Sequence, residues 1–97
     1  MIVEQKKIKY LWGKETVWAD TDSYRGSFMS IKHGQTVYDN SKVSRKETVY
    51  VLYGTLIIEL NDGQHEVKKG QSFHLDTGIE RILRAPYDDV DIVVISN

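Results

Sequence analysis

Cysteine is absent from the 97-residue chain, which excludes disulfides, thiolate metal sites and a cysteine nucleophile. Proline occurs once; Pro86 falls between two strand-like runs, where a missing amide donor does little harm. No apolar run approaches the roughly 18 residues of a membrane span. The opening MIVEQKKIKY lacks the apolar stretch of a signal peptide, so the expectation is a cytoplasmic protein with no membrane partner. Neither sign of charge dominates: 13 Lys and Arg face 14 Asp and Glu for a net charge of −1, against the basic excess or stripe that nucleic-acid binding needs. Linkers, internal repeats, low-complexity segments and amphipathic helical periods are also missing. A chain of this length supports one core and not two, so residues 1–97 read as a single domain. Residues 1–8, with Ile2, Val3 and Ile8 among Lys6 and Lys7, form an N-terminal arm or edge strand, the lysines being a solvated face.

What the chain does have is short β-like runs punctuated by turns. Turn signals recur at Gly34, Gly54, Asp62-Gly63, Gly70, Gly78 and Asp88-Asp89, and Asp-Gly supplies the positive φ of a hairpin turn. Between them lie TLIIEL, HEVKKG, QSFHLDTG, RILRAP and DIVVIS, rich in β-branched residues. Frequent turns between short strands predict an all-β sandwich or small barrel. Trp12 and Trp18 flank a glycine early in the chain; aromatics of this size serve packing in so small a domain, or else stack on a ligand.

The stretch from Gly34 to Gly54, GQTVYDNSKVSRKETVYVLYG, reads as a hairpin of two alternating runs. Glu47, Val49, Val51 and Tyr53 follow period two and are expected on one face. A carboxylate heading a buried face needs a positive partner. The candidates are Lys42, across the hairpin, and Arg81, much further along.

With these residues in view, two spacings resemble the motifs of the cupin family of small jelly-roll barrels. The first cupin motif runs glycine, five residues, His-x-His, three or four residues, Glu, six residues, glycine; here stand Gly34, Asn40-x-Lys42, Glu47 and Gly54. The second runs glycine, five residues, Pro-x-Gly, two residues, His, three residues, Asn; here stand Gly70, Asp76-x-Gly78, Arg81 and Ala85. In addition WGKETVWA, residues 12–19, is similar to the N-terminal segment of cupins like the cupin domain of mannose-6-phosphate isomerases and mannose-1-phosphate guanylyltransferases. ETVYVLYG and RILRAP have close counterparts in that branch. The resemblance covers residues 9–96 and implies a cupin jelly-roll, a double-stranded β-helix.

In metal-binding cupins the two motif-one histidines, the glutamate and the motif-two histidine hold a divalent ion. Here Lys42 has donors only and Arg81 is always charged. Glu47 with an amide from Asn40 is too small a donor set for zinc, iron or manganese. No metal and no cofactor are therefore expected. Two readings of the altered position stay open. In one, Lys42, Glu47 and Arg81 form an ion cluster that stands in for the metal as a scaffold. In the other, two cations against one anion leave a positive pocket for a small anionic or sugar-like molecule, with Tyr38, Asn40, Lys42, Glu47, Tyr53 and Arg81 as its candidate lining. A third reading is a metal-independent sugar isomerase or epimerase in which Lys42 or Tyr38 moves a proton. His33, His65 and His74 fall outside the motif positions and read as surface or interface residues. Finally, Tyr50 and Leu52 oppose the Glu47 face, with Ile57 and His74 also pointing away from the cavity; apolar residues on both faces of a barrel strand predict a homodimer.

Overall fold

The structure is a computed structural model and describes residues 1–39 and 45–97. Every element among them is a strand: β1 (Lys6–Tyr10), β2 (Gly13–Asp20), β3 (Arg25–Ile31), β4 (Thr36–Asp39), β5 (Glu47–Tyr53), β6 (Thr55–Leu60), β7 (Gly63–Lys68), β8 (Ser72–Leu75), β9 (Arg81–Arg84) and β10 (Val90–Ser96). They form two sheets, one in the order β1-β2-β3-β10-β5-β8 and one in the order β4-β9-β6-β7, with antiparallel pairing throughout. No helix among the described residues is long and apolar enough to cross a membrane.

The predicted all-β class is the observed one, and its cause is the period-two pattern. On β3, Ser27, Met29 and Ile31 are buried and point at the opposite sheet; on β10, Val90, Ile92 and Val94 do the same. The second sheet answers with Leu56, Ile58, Val67 and Leu83. The apolar side chains among these interlock as one core, each contributing about 1.5–3 kcal/mol by its transfer from water.

One expectation is corrected. The two runs of the 34–54 stretch do not pair as a hairpin: β4 lies beside β9 in the four-stranded sheet, while β5 lies between β10 and β8 in the six-stranded one. Alternation fixes which residues share a face but not which strand lies alongside. The turn at Asn61-Asp62, by contrast, does close a hairpin, pairing Leu60 with Gly63.

Two bulges shape the sheet. Between β5 and β10 the register passes from Tyr53↔Asp91 to Val51↔Ile92, so Leu52 is an extra residue. Between β2 and β3 it passes from Val17↔Ser27 to Ala19↔Gly26, leaving Trp18 extra. A bulge re-aims the side chains beyond it. Trp18 accordingly lies over Gly26, where an added methyl would meet its ring at 2.5 Å. The chain then crosses between sheets at Gly54, whose φ of 82° and 2.4 Å approach of a would-be Cβ to the Asp89 carbonyl leave room for glycine alone.

Candidate functional site

The alternation that builds the core leaves one end of it open. There the strands of the six-stranded sheet bring Arg25, Ser96, Glu47 and Leu75 into a single cross-strand row. Side chains in such a row project from the same face, and a spacing of about 4.8 Å per strand sets Arg25 and Glu47 roughly 10 Å apart on either side of Ser96. A cavity of about 420 Å³ opens beneath this row. Ser27, Met29, Val49, Val94 and Leu83 form its floor, and its walls carry a high density of charge for so small a barrel.

On one wall Arg81 begins β9 with its side chain wholly shielded from solvent. A buried guanidinium needs hydrogen-bond partners, and both of its terminal nitrogens have one. Nη1 donates to Glu47 Oε1 at 2.6 Å and Nη2 to the Ile79 carbonyl at 2.7 Å. The first is a short charge-assisted bond. Arg81 is thus the positive partner of Glu47, as the spacing suggested. Asn40 and Lys42 lie outside the described residues.

The opposite wall is built by β1, β2 and β3. Glu15 Oε2 lies 3.9 Å from Arg25 Nη2, beyond hydrogen-bonding length. The Tyr10 hydroxyl donates to Glu15 Oε1 at 3.3 Å. Burial, and then the charge of Glu15, push the Tyr10 phenol above its ordinary value, so it stays a neutral donor at physiological pH. Its ring stacks on that of Trp12, centroids 4.5 Å apart and planes 11° from parallel. Arg45 completes the charged lining among the described residues.

Of the remaining expected lining residues, Tyr38 reaches the cavity at its rim and is 67% exposed. Its neighbour Val37, opposite Leu83, turns inward. Tyr53 sits elsewhere. Six residues beyond Glu47, it is about 20 Å along the strand, past the bulge at Leu52. It lines a separate, shallower depression with Lys9, Lys14, Lys32, Asp89 and Asp91. The structure therefore gathers Glu47, Arg81 and Tyr38, and adds Tyr10, Trp12, Glu15, Arg25 and Arg45. The signal for the added residues was present as alternation, in Arg25-Ser27-Met29-Ile31 and in Gly13-Glu15-Val17.

None of the three histidines lines this cavity. His33 donates its backbone N–H to Asp89 at 2.8 Å, His65 lies 2.8 Å from Asp62 Oδ1 and tilts over Phe73, and His74 contacts Thr48 Oγ1 at 3.1 Å. No group of three or more His, Cys, Asp or Glu among the described residues is arranged to hold a metal. At the motif-two position stands a guanidinium with no lone pair to offer, bonded to the one motif carboxylate. The described donor set does not fit a divalent ion.

The cupin domain model, Cupin_2, matches residues 27–96. No curated protein matches the chain. Among solved structures the chain is similar to KdgF from Halomonas sp., with 13% identity, 97% of this chain and 86% of that one covered, and a TM-score of 0.81. It is similar to the conserved SPY1581 protein of unknown function from Streptococcus pyogenes, with 18% identity, coverage of 99% and 77%, and a TM-score of 0.76. It is similar also to a Cupin 2 conserved barrel domain protein from Salinispora arenicola, with 10% identity, coverage of 87% and 74%, and a TM-score of 0.78. Identities this low carry the fold and no activity.

Proposed function

This chain belongs to the cupin family, and we propose that its barrel binds a small anionic or sugar-like molecule without a metal. The observation that carries this reading is the charge count of the cavity. Arg25, Arg45 and Arg81 face Glu15 and Glu47, three cations against two anions, so the described lining holds one excess positive charge. A concave site with low-dielectric walls focuses that charge on an incoming anion. A volume of about 420 Å³ lies within the range of small-ligand pockets, and the phenol of Tyr10 with the ring of Trp12 suits a sugar face. The resemblance of WGKETVWA to the mannose-6-phosphate isomerase-like branch supports a sugar-like ligand.

Arg81 is the scaffold of that pocket: it is shielded from solvent and held by Glu47 and Ile79. In the same reading a second copy of the chain covers the outer face of the six-stranded sheet, where Phe28, Val93 and Tyr50 form one cross-strand row beside Ile95. The binding test is an NMR titration of ¹⁵N-labelled protein with glucose 6-phosphate, glucuronate and methyl glucoside. Shifts are expected at Ser27, Val49 and Ser96 and not at Tyr53. A spectrum unchanged by all three compounds at millimolar concentration refutes the pocket.

A further inference from the structure

The pocket reading leaves open which guanidinium meets the ligand, and the two walls are not equivalent. On the Glu47 wall, Arg81 donates two short hydrogen bonds and exposes none of its side chain. On the β2–β3 wall, Arg25 is in the opposite condition. Its side chain is 39% exposed and its carboxylate neighbour Glu15 is 3.9 Å away, too far for a hydrogen bond. An arginine held this loosely gains more from an arriving acid than one whose terminal donors are already bonded. Beside it stand the stacked rings of Tyr10 and Trp12, a flat apolar plate within the same cavity.

The geometry points to Arg25 as the residue that takes the ligand's acid group, with the Tyr10–Trp12 plate receiving a ring attached to it. The ligand class is a cyclic monocarboxylic acid, a sugar acid being the form that also uses the hydroxyl-bonding groups of the wall. This assignment rests on the pocket reading above and narrows it. The carboxylate follows from the local charge. Once Arg81 and Glu47 are set aside as a neutral pair, Arg25 and Arg45 face Glu15 among the described lining residues, two cations against one anion. One excess positive charge matches a carboxylate; a dianionic phosphate exceeds it and meets Glu15 with twice the repulsion.

The test measures dissociation constants of glucuronate, glucose 6-phosphate and methyl glucoside for the full chain and for Arg25→Gln, Arg25→Lys and Arg45→Gln, with folding of each variant checked by its ¹⁵N spectrum. Glucuronate is expected to bind the unaltered chain most tightly and to lose about tenfold or more in Arg25→Gln, the scale of a lost charge-assisted hydrogen bond. Arg25→Lys keeps the charge and loses the planar fork, so an intermediate loss is expected. Glucuronate binding that is unchanged in Arg25→Gln, while the unaltered chain still binds it, overturns the assignment to Arg25 and leaves the pocket standing. Equal affinity for methyl glucoside overturns acid recognition in the same way. If no compound binds the unaltered chain, both readings fall. Should Arg25→Gln not fold, Arg25→Lys decides alone, and an unchanged affinity there overturns the assignment.

Discussion

Replacing Glu15 by Gln should strengthen, not weaken, the binding of an acid. Glu15 Oε2 lies 3.9 Å from Arg25 Nη2. A carboxylate bonded to that guanidinium at about 2.8 Å lies roughly 6–7 Å from Glu15. At an effective dielectric constant near 20, two like charges at that separation repel by about 2.5 kcal/mol, and the partial exposure of Arg25 lowers this to about 1–2 kcal/mol. Removing the Glu15 charge should therefore raise affinity for glucuronate by about five- to thirtyfold. The gain should shrink with salt, because the screening length falls from about 10 Å at 0.1 M to about 3 Å at 1 M.

The same variant carries an internal control. Glutamine retains an acceptor oxygen for the Tyr10 hydroxyl, so stability should change by less than about 1 kcal/mol. The Tyr10 phenol, pushed up first by burial and then by Glu15, should titrate lower in Glu15→Gln yet still above its ordinary value. Ultraviolet titration reads that change and calorimetry reads the affinity. If the tyrosine titration moves while affinity for the acid stays the same or falls, the acid does not lie beside Glu15, and the assignment to Arg25 is refuted.

Three further outcomes follow from the fold. Gly34→Ala meets no atom within 4 Å of the new methyl and should cost about 1–2 kcal/mol for its left-handed backbone, whereas Gly54→Ala also drives a methyl to 2.4 Å from the Asp89 carbonyl and should lose about 1–3 kcal/mol more; equal urea midpoints for the two variants overturn this account of the sheet crossing. Hydrogen bonds from Gln64 and then Arg84 hold the Glu59 carboxyl below its ordinary range, so its contribution is present above that range and is lost as pH falls through the lowered value; the acid limb of the stability curve should flatten in Glu59→Gln. If a second copy covers the Phe28–Val93–Tyr50 row, Ile95→Lys should halve the mass seen by light scattering at micromolar concentration, and a monomeric mass for the unaltered chain removes the dimer.

Much of the fold was legible because it rests on local rules. The alternation of Val49 and Val51, of Val90, Ile92 and Val94, and of Leu56 and Ile58 placed the core, and the glycine turns marked most strand ends. Strand partners were not legible. Pairing β4 with β9 joins residues such as Val37 and Leu83, far apart in sequence, and no local pattern encodes that choice. Tyr53 was misplaced for a related reason: period two carries a residue forward only while the register holds, and the bulge at Leu52 breaks it. Within the site, Glu47–Arg81 could be read because motif spacing links two distant strands. Glu15 and Arg25 lie outside the two spaced motifs, and their approach depends on a β2–β3 register interrupted at Trp18.

The two walls of the cavity hold their charge in different ways. The position where the family resemblance puts a metal-binding histidine carries Arg81, a buried cation that brings its charge covalently and pairs it with Glu47. That arrangement is closed: a tight guanidinium–carboxylate pair presents little net field to a ligand and resists rearrangement, since pulling either group away strands the other in a low dielectric. Recognition must then come from charge that is not already paired at bonding distance. Among the described residues this means Arg45 and the β2–β3 wall, where Arg25 and Glu15 stand apart by 3.9 Å and an aromatic plate adjoins them. The altered motif thus sets at the motif-two position a guanidinium with no lone pair for a metal, and in the proposed reading the binding surface lies on β2 and β3, outside the two spaced motifs.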